Sequence, residues 1–299
     1  MMKKIKAIFG CIMAFVYVLL IQGIVVLISS VIYGVVQGAI LGIQGLGAEE
    51  ITIEVQNMMT GNVILIFQSL ASLVCVVVFG LWYYKKLAKK NRPDLKKVFE
   101  GKTMLWITLL AIGMQLLIMI IMSLLIPMLP NMFAEYDEHM EWLGIGGSLI
   151  SFIYVGFIAP ISEEFIFRGV IFNKGKKVLP FMLANILQAL LFGIMHGNIV
   201  QGTYAFALGI VMGILYERRQ SILAPIALHM VINLFGILFA TVPESFLETY
   251  KFAEIILLLI PIPAIVISLI HLNRNPVIME EPEEPEEPEE AEEEICEKL

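Results

Sequence analysis

Three ionisable side chains, Glu163, Glu164 and Arg168, interrupt a stretch from Leu149 to Phe172 that is otherwise as apolar as lipid. An ionisable side chain near the middle of a membrane costs about 2.5–3.5 kcal/mol even on the lenient insertion scale, so such residues are functional candidates. Glu164 and Arg168 are four positions apart, and a helix would place them on one face in the order that favours an ion pair. Glu163 lies about 100° around the helix from Glu164 and can face a different partner.

Three further polar side chains, His196, His229 and Asn233, lie in later apolar stretches. His229 and Asn233 are again four positions apart, so one helix face presents an imidazole and a carboxamide. A buried glutamate can activate a water as a general base, while histidine and asparagine can donate hydrogen bonds to an oxyanion. Alternatively, Glu163, His196 and His229 are a candidate zinc set that leaves the fourth position to water.

Spacing alone leaves three interpretations open. The first is hydrolysis of an acyl bond by the carboxylate, imidazole and amide groups. The second is ion or proton transport, which also uses ionisable residues inside a membrane. The third is a structural role, in which buried pairs fix helix register and the histidines bond to neighbouring helices.

The composition is that of a polytopic membrane protein. Apolar residues make up 59% of the chain, charged residues only 16%, and the mean hydropathy is +0.85, whereas soluble domains are roughly 45–50% apolar. Since a spanning helix needs about 20 apolar residues, the sequence predicts an all-α bundle of about eight transmembrane helices. These spans are approximately 7–35, 62–84, 104–129, 147–172, 179–197, 201–216, 221–241 and 252–272.

Basic residues alternate between the loops in a way that predicts the orientation of the chain. Lysines and arginines cluster before span 1 and after spans 2, 4, 6 and 8, whereas the loops after spans 1, 3 and 7 are acidic. By the positive-inside rule both termini are cytoplasmic, so we expect a multi-pass protein of the cell (plasma) membrane, with the lipid bilayer as a partner. The bases form no groove-binding stripe, so no nucleic-acid partner is expected.

Two regions are predicted, a transmembrane helical domain over 1–273 and a disordered acidic cytoplasmic tail over 274–299. Twelve of the 27 acidic residues lie between Glu280 and Leu299, in a proline-punctuated run of one charge sign that cannot build a core. The cysteines, Cys11, Cys75 and Cys296, are scattered along the chain. They indicate neither a disulfide framework nor a zinc knuckle.

The polar residues fall into three motifs. "EEFIFRG" (163–169), "FGIMH" (192–196) and "HMVIN" (229–233) resemble the EExxxR, FxxxH and HxxxN motifs of the CAAX-protease and bacteriocin-processing (CPBP) family of intramembrane proteases. That family includes the Ras-converting CAAX endopeptidases. All motif positions are filled, in the right order and on three separate apolar spans. The resemblance covers a family core of about 149–238.

Carried over position by position, the resemblance implies that Glu163 activates the attacking water and that Glu164 helps to orient the site. His196 would position that water, while His229 and Asn233 would form the oxyanion hole. We expect no metal or other cofactor, because Asn233 is a natural hydrogen-bond donor and a poor zinc ligand. Zinc is the expected cofactor if a metal is used.

The expected function is that of a CAAX-type intramembrane endopeptidase. It would hydrolyse a peptide bond in a peptide or membrane-protein substrate, with Arg168 supporting the site by anchoring the carboxylates, Glu164 first. The alternatives are an ion-coupled membrane transporter and a non-catalytic membrane immunity or scaffold protein.

One feature of the predicted spans conflicts with a common site. At 1.5 Å per residue, Glu163 and His229 both lie about 15–16 Å from the basic ends of their spans. His196, counted from Lys177, comes to about 28 Å. Span 5 must therefore tilt, bend or begin in the cytoplasm near Pro180, unless its boundaries differ from those predicted.

Overall fold

The computed structural model describes residues 2–59, 61–86, 100–145, 147–240 and 259–274, and throughout these ranges the chain is helical, without strands. The predicted all-α class is confirmed for this part of the chain. The helices are α1 (Met2–Ile43), α2 (Ala48–Met58), α3 (Asn62–Lys86), α4 (Gly101–Leu125), α5 (Pro130–Trp142), α6 (Leu149–Lys176), α7 (Phe181–Met195), α8 (Ile199–Arg219), α9 (Leu223–Ala240) and α10 (Pro261–Arg274).

Five of the described helices are long and apolar enough to cross a membrane, namely α1, α3, α4, α6 and α8. Helices α7, α9 and α10 are apolar but shorter, at 10–17 residues in their apolar parts. All eight coincide with predicted spans, although a count of eight crossings and the orientation of the termini stay predictions. The first part of the eighth predicted span and the acidic tail lie outside the described residues.

Polar side chains define the ends of the helices that carry the site. The Ser148 hydroxyl accepts a hydrogen bond from the Ser151 N–H at 3.0 Å, which caps the start of α6. Asn198 caps α8 in the same way, because its side-chain oxygen accepts from the N–H groups of Val200 and Gln201. Helix α8 ends where Gln220 adopts a left-handed backbone with φ of 47°.

Helix α6 is irregular on both sides of the paired glutamates. It contains two π-helical segments, Tyr154–Ile158 and Phe165–Phe172, with α-helical turns before, between and after them. Pro160 follows the first segment, and proline has no N–H to donate and crowds the preceding turn. Such π segments occur often at functional sites. In this chain they flank Glu163 and Glu164.

Helix α6 is also the centre of the packing, since α1, α3, α7 and α9 all lie against it. Aromatic rings fill the contacts on its second π segment. The Phe167 ring lies 6.5 Å from that of Phe15 on α1 and 5.1 Å from that of Phe192 on α7, and Phe165 lies 5.9 Å from Tyr83 on α3. The resulting core surrounds the charged residues of α6 with apolar groups.

Helices α7 and α8 form a close antiparallel pair because glycines line their contact. A Cβ at Gly193 would lie 2.6 Å from the Gly202 carbonyl oxygen. A Cβ at Gly209 would lie 2.9 Å from the Ala189 Cβ. Neither position has room for a larger residue unless the backbone moves. Small residues let membrane helices approach this closely.

We expect Gly213→Ala to lower stability by about 1–3 kcal/mol, as overpacking of a buried contact does. A Cβ there would lie 1.8 Å from the Asn185 side-chain oxygen, which belongs to a buried amide that is hydrogen-bonded on both of its ends. Gly23→Ala on α1 is the matched control, because no atom lies within 4 Å of its Cβ position. Thermal unfolding in detergent should show a loss of stability for Gly213→Ala and none for Gly23→Ala. Equal losses of stability in the two variants would contradict the packing described.

Candidate active site

One carboxylate oxygen of Glu164 accepts hydrogen bonds from two side chains. Its Oε1 accepts from Arg168 NH1 at 2.7 Å and from His229 Nδ1 at 3.0 Å. The side chains of Glu164 and Arg168 are both fully buried. The ion pair expected from their spacing is therefore present, and it extends to a histidine on a second helix.

Glu163 points to the other side of the same imidazole. Its Oε2 lies 3.7 Å from His229 Nε2, and its side chain remains 17% exposed whereas that of Glu164 is fully buried. Because a carboxylate oxygen accepts, His229 donates from Nδ1 to Glu164 and turns Nε2 toward Glu163. The two neighbouring carboxylates thus lie at opposite edges of one ring, and of the two only Glu163 is partly exposed.

His196 ends α7, and its Nδ1 donates to the Phe192 carbonyl at 2.8 Å, which leaves Nε2 for another partner. The Phe192 ring brings the two histidines to one place. Its centroid lies 4.9 Å from that of His196 and 5.8 Å from that of His229, in edge-on geometry for both. His196 therefore lies beside the group formed by His229, Glu163 and Glu164.

The mismatch in depth disappears because α7 begins at Phe181, after the turn that contains Pro180. The Ala184 Cβ lies 3.2 Å from the position of a Cβ on Gly175, so these residues face each other across the α6–α7 contact. His196 and Glu163 are each twelve residues from that contact along their own helices. Counting from Lys177 overestimated the depth of His196, because the residues between Lys177 and Ala184 come before the contact of α7 with α6.

Asn233, one turn after His229 on α9, donates from Nδ2 to the Val155 carbonyl at 2.8 Å. Val155 belongs to the first π segment of α6. All six predicted site residues thus lie on α6, on α9 or, for His196, directly after the last residue of α7, and the bonds above join α9 to α6 at two places.

The sequence analysis missed a second group of buried polar residues behind Arg168. Arg168 NH2 and Gln188 Nε2 both donate to the Gly209 carbonyl, at 3.1 and 2.9 Å, and Gln188 also bonds to Asn185. The guanidinium lies 4.8 Å from the Phe192 ring centroid. Two fully buried amides three positions apart in the apolar stretch of α7 were the available signal.

A metal ion does not fit the described side chains as they stand. No group of three His, Cys, Asp or Glu side chains among the described residues is arranged to hold one. Both imidazoles use Nδ1 for a carboxylate or a backbone carbonyl and leave Nε2 available, which is also how metal-bound histidines are held. As they stand, these side chains offer a carboxylate, two imidazoles and an amide to a bound water.

Residues 145–235 match the model of the type II CAAX prenyl endopeptidase Rce1-like family. The chain is similar to "Membrane-embedded CAAX protease MroQ" of Staphylococcus aureus, with 28% identity over 36% of this chain and 46% of that protein. It is also similar to "Putative membrane peptidase YdiL" of Bacillus subtilis, with 32% identity over 30% of this chain and 38% of that protein. No solved structure matches the chain.

These matches confirm the CPBP resemblance over the segment that contains all three motifs. They span about half or less of the length of the relatives. The family match and the long apolar helices indicate a multi-pass membrane protein, and the bacterial relatives place it in the plasma membrane.

We expect Arg168→Met to lower the free energy of unfolding by about 3–5 kcal/mol, because it leaves the Glu164 carboxylate buried without its cation. The matched control is Lys176→Met, which breaks an ion pair between Lys176 and Glu217 whose side chains are 23% and 33% exposed. This pair is partly exposed, so water screens its charges and we expect a smaller loss, about 1 kcal/mol, which includes the contact of Lys176 with the rings of Phe172 and Tyr216. Unfolding of the purified variants in detergent measures both losses.

The combined variant Arg168→Met, Glu164→Gln provides a second measurement for the same pair. It removes the charge that the single variant leaves unpaired, so it should recover a large part of the lost stability. Equal stability losses in Arg168→Met and Lys176→Met, together with no recovery in the combined variant, would contradict a buried ion pair at this site.

Proposed function

We propose that this chain is an intramembrane endopeptidase that hydrolyses a peptide bond by means of a glutamate-activated water. The observation that carries the proposal is the arrangement of Glu163, which is partly exposed and lies 3.7 Å from His229 Nε2, beside a fully buried Glu164. The similarity to proteins named CAAX protease and membrane peptidase supports the same reaction class. The substrate class would be a short peptide or the membrane-proximal end of another protein.

The reaction would begin at Glu163. Its carboxylate takes a proton from a water while the water oxygen attacks the carbonyl carbon of the scissile bond. The Nε2 of His196 accepts from the same water and orients it, because Nδ1 of that ring already donates to a backbone carbonyl. Glu163 then passes its proton to the leaving amine nitrogen, and the carbon–nitrogen bond breaks.

His229 and Asn233 would stabilise the oxyanion of the tetrahedral intermediate. His229 donates from Nδ1 to Glu164, so donation from Nε2 as well requires a proton on each ring nitrogen. At this stage Glu163 carries the proton of the water, so the Glu164 carboxylate and the oxyanion itself would balance the charge of that imidazolium. Asn233 uses one N–H on Val155 and retains a second for the oxyanion.

We expect Glu163→Gln, His196→Ala and His229→Ala each to lower cleavage by about 10²–10⁴-fold, the usual contribution of acid–base groups. Each variant should still accumulate in membranes. Glu138→Gln and His139→Ala on α5 are matched controls, because they make the same changes of residue type outside the site. The assay incubates the purified protein with a peptide pool, with and without a chelator, and identifies fragments by mass spectrometry.

Different outcomes of this assay point to different functions. Full activity in any of the three site variants would contradict the assignment of that residue. Loss of cleavage with chelator and its return with zinc would replace the proposed mechanism by a metal-dependent one. Proton or solute flux in liposomes without hydrolysis would indicate a transporter, and a cellular phenotype that survives Glu163→Gln would indicate a non-catalytic protein.

We further propose that the chain crosses the membrane eight times, with both termini in the cytoplasm. The three shorter apolar helices pack alongside the five long ones, and the basic residues gather at one set of loops. The site would then be reached from the cytoplasm or from the inner leaflet.

Labelling of single cysteines tests this orientation. In a background without the three native cysteines, we expect cysteines at exposed positions Lys177 and Arg218 to react with an impermeant thiol reagent in inverted vesicles. Cysteines at exposed positions Glu50 and Glu138 should react on intact cells instead. The reverse pattern would refute the orientation and the cytoplasmic access that depends on it.

A further inference from the structure

The Val155 carbonyl has lost its usual hydrogen-bond donor. In the first π segment the Ala159 N–H donates to the Tyr154 carbonyl, five residues back. The same pattern continued by one residue would pair the N–H of residue 160 with the Val155 carbonyl. Residue 160 is proline, which has no N–H. An unpaired backbone carbonyl in an apolar environment is costly, so another donor is needed.

Asn233 supplies that donor from a different helix. Its Nδ2 lies 2.8 Å from the Val155 oxygen, although the two residues are 78 positions apart in sequence. A backbone carbonyl that would normally bond within α6 is therefore bonded to α9. The residue whose N–H would bond to this carbonyl within α6 is Pro160.

The backbones of the two helices approach closely at the same place. Gly156, the residue after Val155, is buried, and a Cβ there would lie 2.8 Å from Leu234 Cδ2 on α9. Leu234 directly follows Asn233. The missing side chain at Gly156 thus leaves space for α9 to lie against the π segment, where the Asn233 amide reaches the carbonyl.

A second bond joins α9 to α6 one turn earlier. His229 donates to Glu164 at 3.0 Å, and its position relative to Glu163 depends on the position of α9. Two side chains on one face of α9, four positions apart, are therefore bonded to α6 on either side of Pro160. Two attachment points restrain sliding and rotation of a helix, whereas one point does not restrain rotation.

We propose that Asn233 is a positioning residue, which fixes α9 to the π segment of α6 by replacing the hydrogen bond that Pro160 removes. This bond holds His229 in register with Glu163 and Glu164. Its effect on catalysis rests on the proposed function, whereas its effect on stability does not. If Asn233 acted on the oxyanion alone, the effect of replacing it would not depend on the identity of residue 160.

The second π segment contains a comparable bond that serves as a control. Asn173 Nδ2 lies 3.0 Å from the carbonyl oxygens of both Arg168 and Gly169, so an asparagine amide donates to the backbone there as well. No proline follows this segment in α6. A variant of Asn173 therefore removes amide bonds to two backbone carbonyls, together with a bond to the Tyr216 hydroxyl on α8, at a place that a change at residue 160 cannot repair.

The test is a double-mutant cycle between Asn233→Ala and Pro160→Ala in the full-length protein. With Pro160 present, we expect Asn233→Ala to lower the melting temperature in detergent by about 2–6 °C, as for loss of a bond to a buried carbonyl. With alanine at 160 the loss should fall to about half or less. Alanine restores a backbone N–H, and the Val155 carbonyl then has an in-chain donor whether the segment stays π-helical or becomes α-helical.

The control is Asn173→Ala, whose melting temperature should fall equally with proline or alanine at residue 160. An Asn233→Ala loss that is the same in both backgrounds would overturn the proposal. If Asn233→Ala does not accumulate in membranes, accumulation of the double variant is the expected result. Failure of the double variant where Pro160→Ala alone accumulates would also overturn it.

Cleavage assays on the same four proteins separate positioning from a role on the oxyanion alone. Positioning predicts a lower kcat in Asn233→Ala with little change in KM, and partial recovery of kcat in the double variant. If Asn233→Ala lowers kcat without changing the melting temperature, and kcat does not recover in the double variant with Pro160→Ala, Asn233 has the oxyanion role alone. If no variant and no wild-type protein cleaves peptides, the proposed function fails, while the melting temperatures still decide the positioning role.

Discussion

The buried pair of Arg168 and Glu164 is the interaction around which the other polar groups are arranged. Both side chains are fully buried, and each costs several kcal/mol to remove from water unless its charge and its hydrogen bonds are matched. At Glu164, Oε1 accepts from Arg168 and from His229 of α9, while the buried Oε2 has no hydrogen-bond partner among the described residues. Arg168 is matched by Glu164, by the Gly209 carbonyl of α8 and by the face of the Phe192 ring on α7. One ion pair thus specifies how α6 must meet three other helices.

Close packing of α7 and α8 follows from the same requirement. The Gly209 carbonyl lies in a helix and is available to Arg168 and Gln188 because position 209 has no side chain to hold the helices apart. Asn185 then bonds to Gln188 and to the Ile210 carbonyl. Gly209, which looks like a simple packing residue in the sequence, therefore also exposes a backbone acceptor to a buried cation.

The motif residues could be predicted from the sequence because charged side chains stand out in an apolar stretch. Most of the helices could be predicted because the apolar stretches are long enough to span a membrane. The spacing of Glu164 and Arg168 predicted their pair, and each of the eight predicted spans overlaps a described helix. The π segments could not be predicted, since they depend on which carbonyls find donors on neighbouring helices. The bond from Asn233 to Val155 and the depth of His196 depend on packing between helices, which periodicity within one helix does not contain.

Two adjacent glutamates in a membrane helix would repel each other if they shared one environment, and the structure separates their environments. Glu164 faces the interior, where Arg168 and His229 are its fixed partners. Glu163 lies about 100° around the helix, keeps some exposure, and has the second nitrogen of the same histidine as its nearest described ionic neighbour. A carboxylate that exchanges protons must reach water or substrate, whereas a carboxylate that orients an imidazole does not need to reach either. The two positions in the motif therefore suit the different tasks proposed for them, because the two side chains leave a single helical turn in different directions.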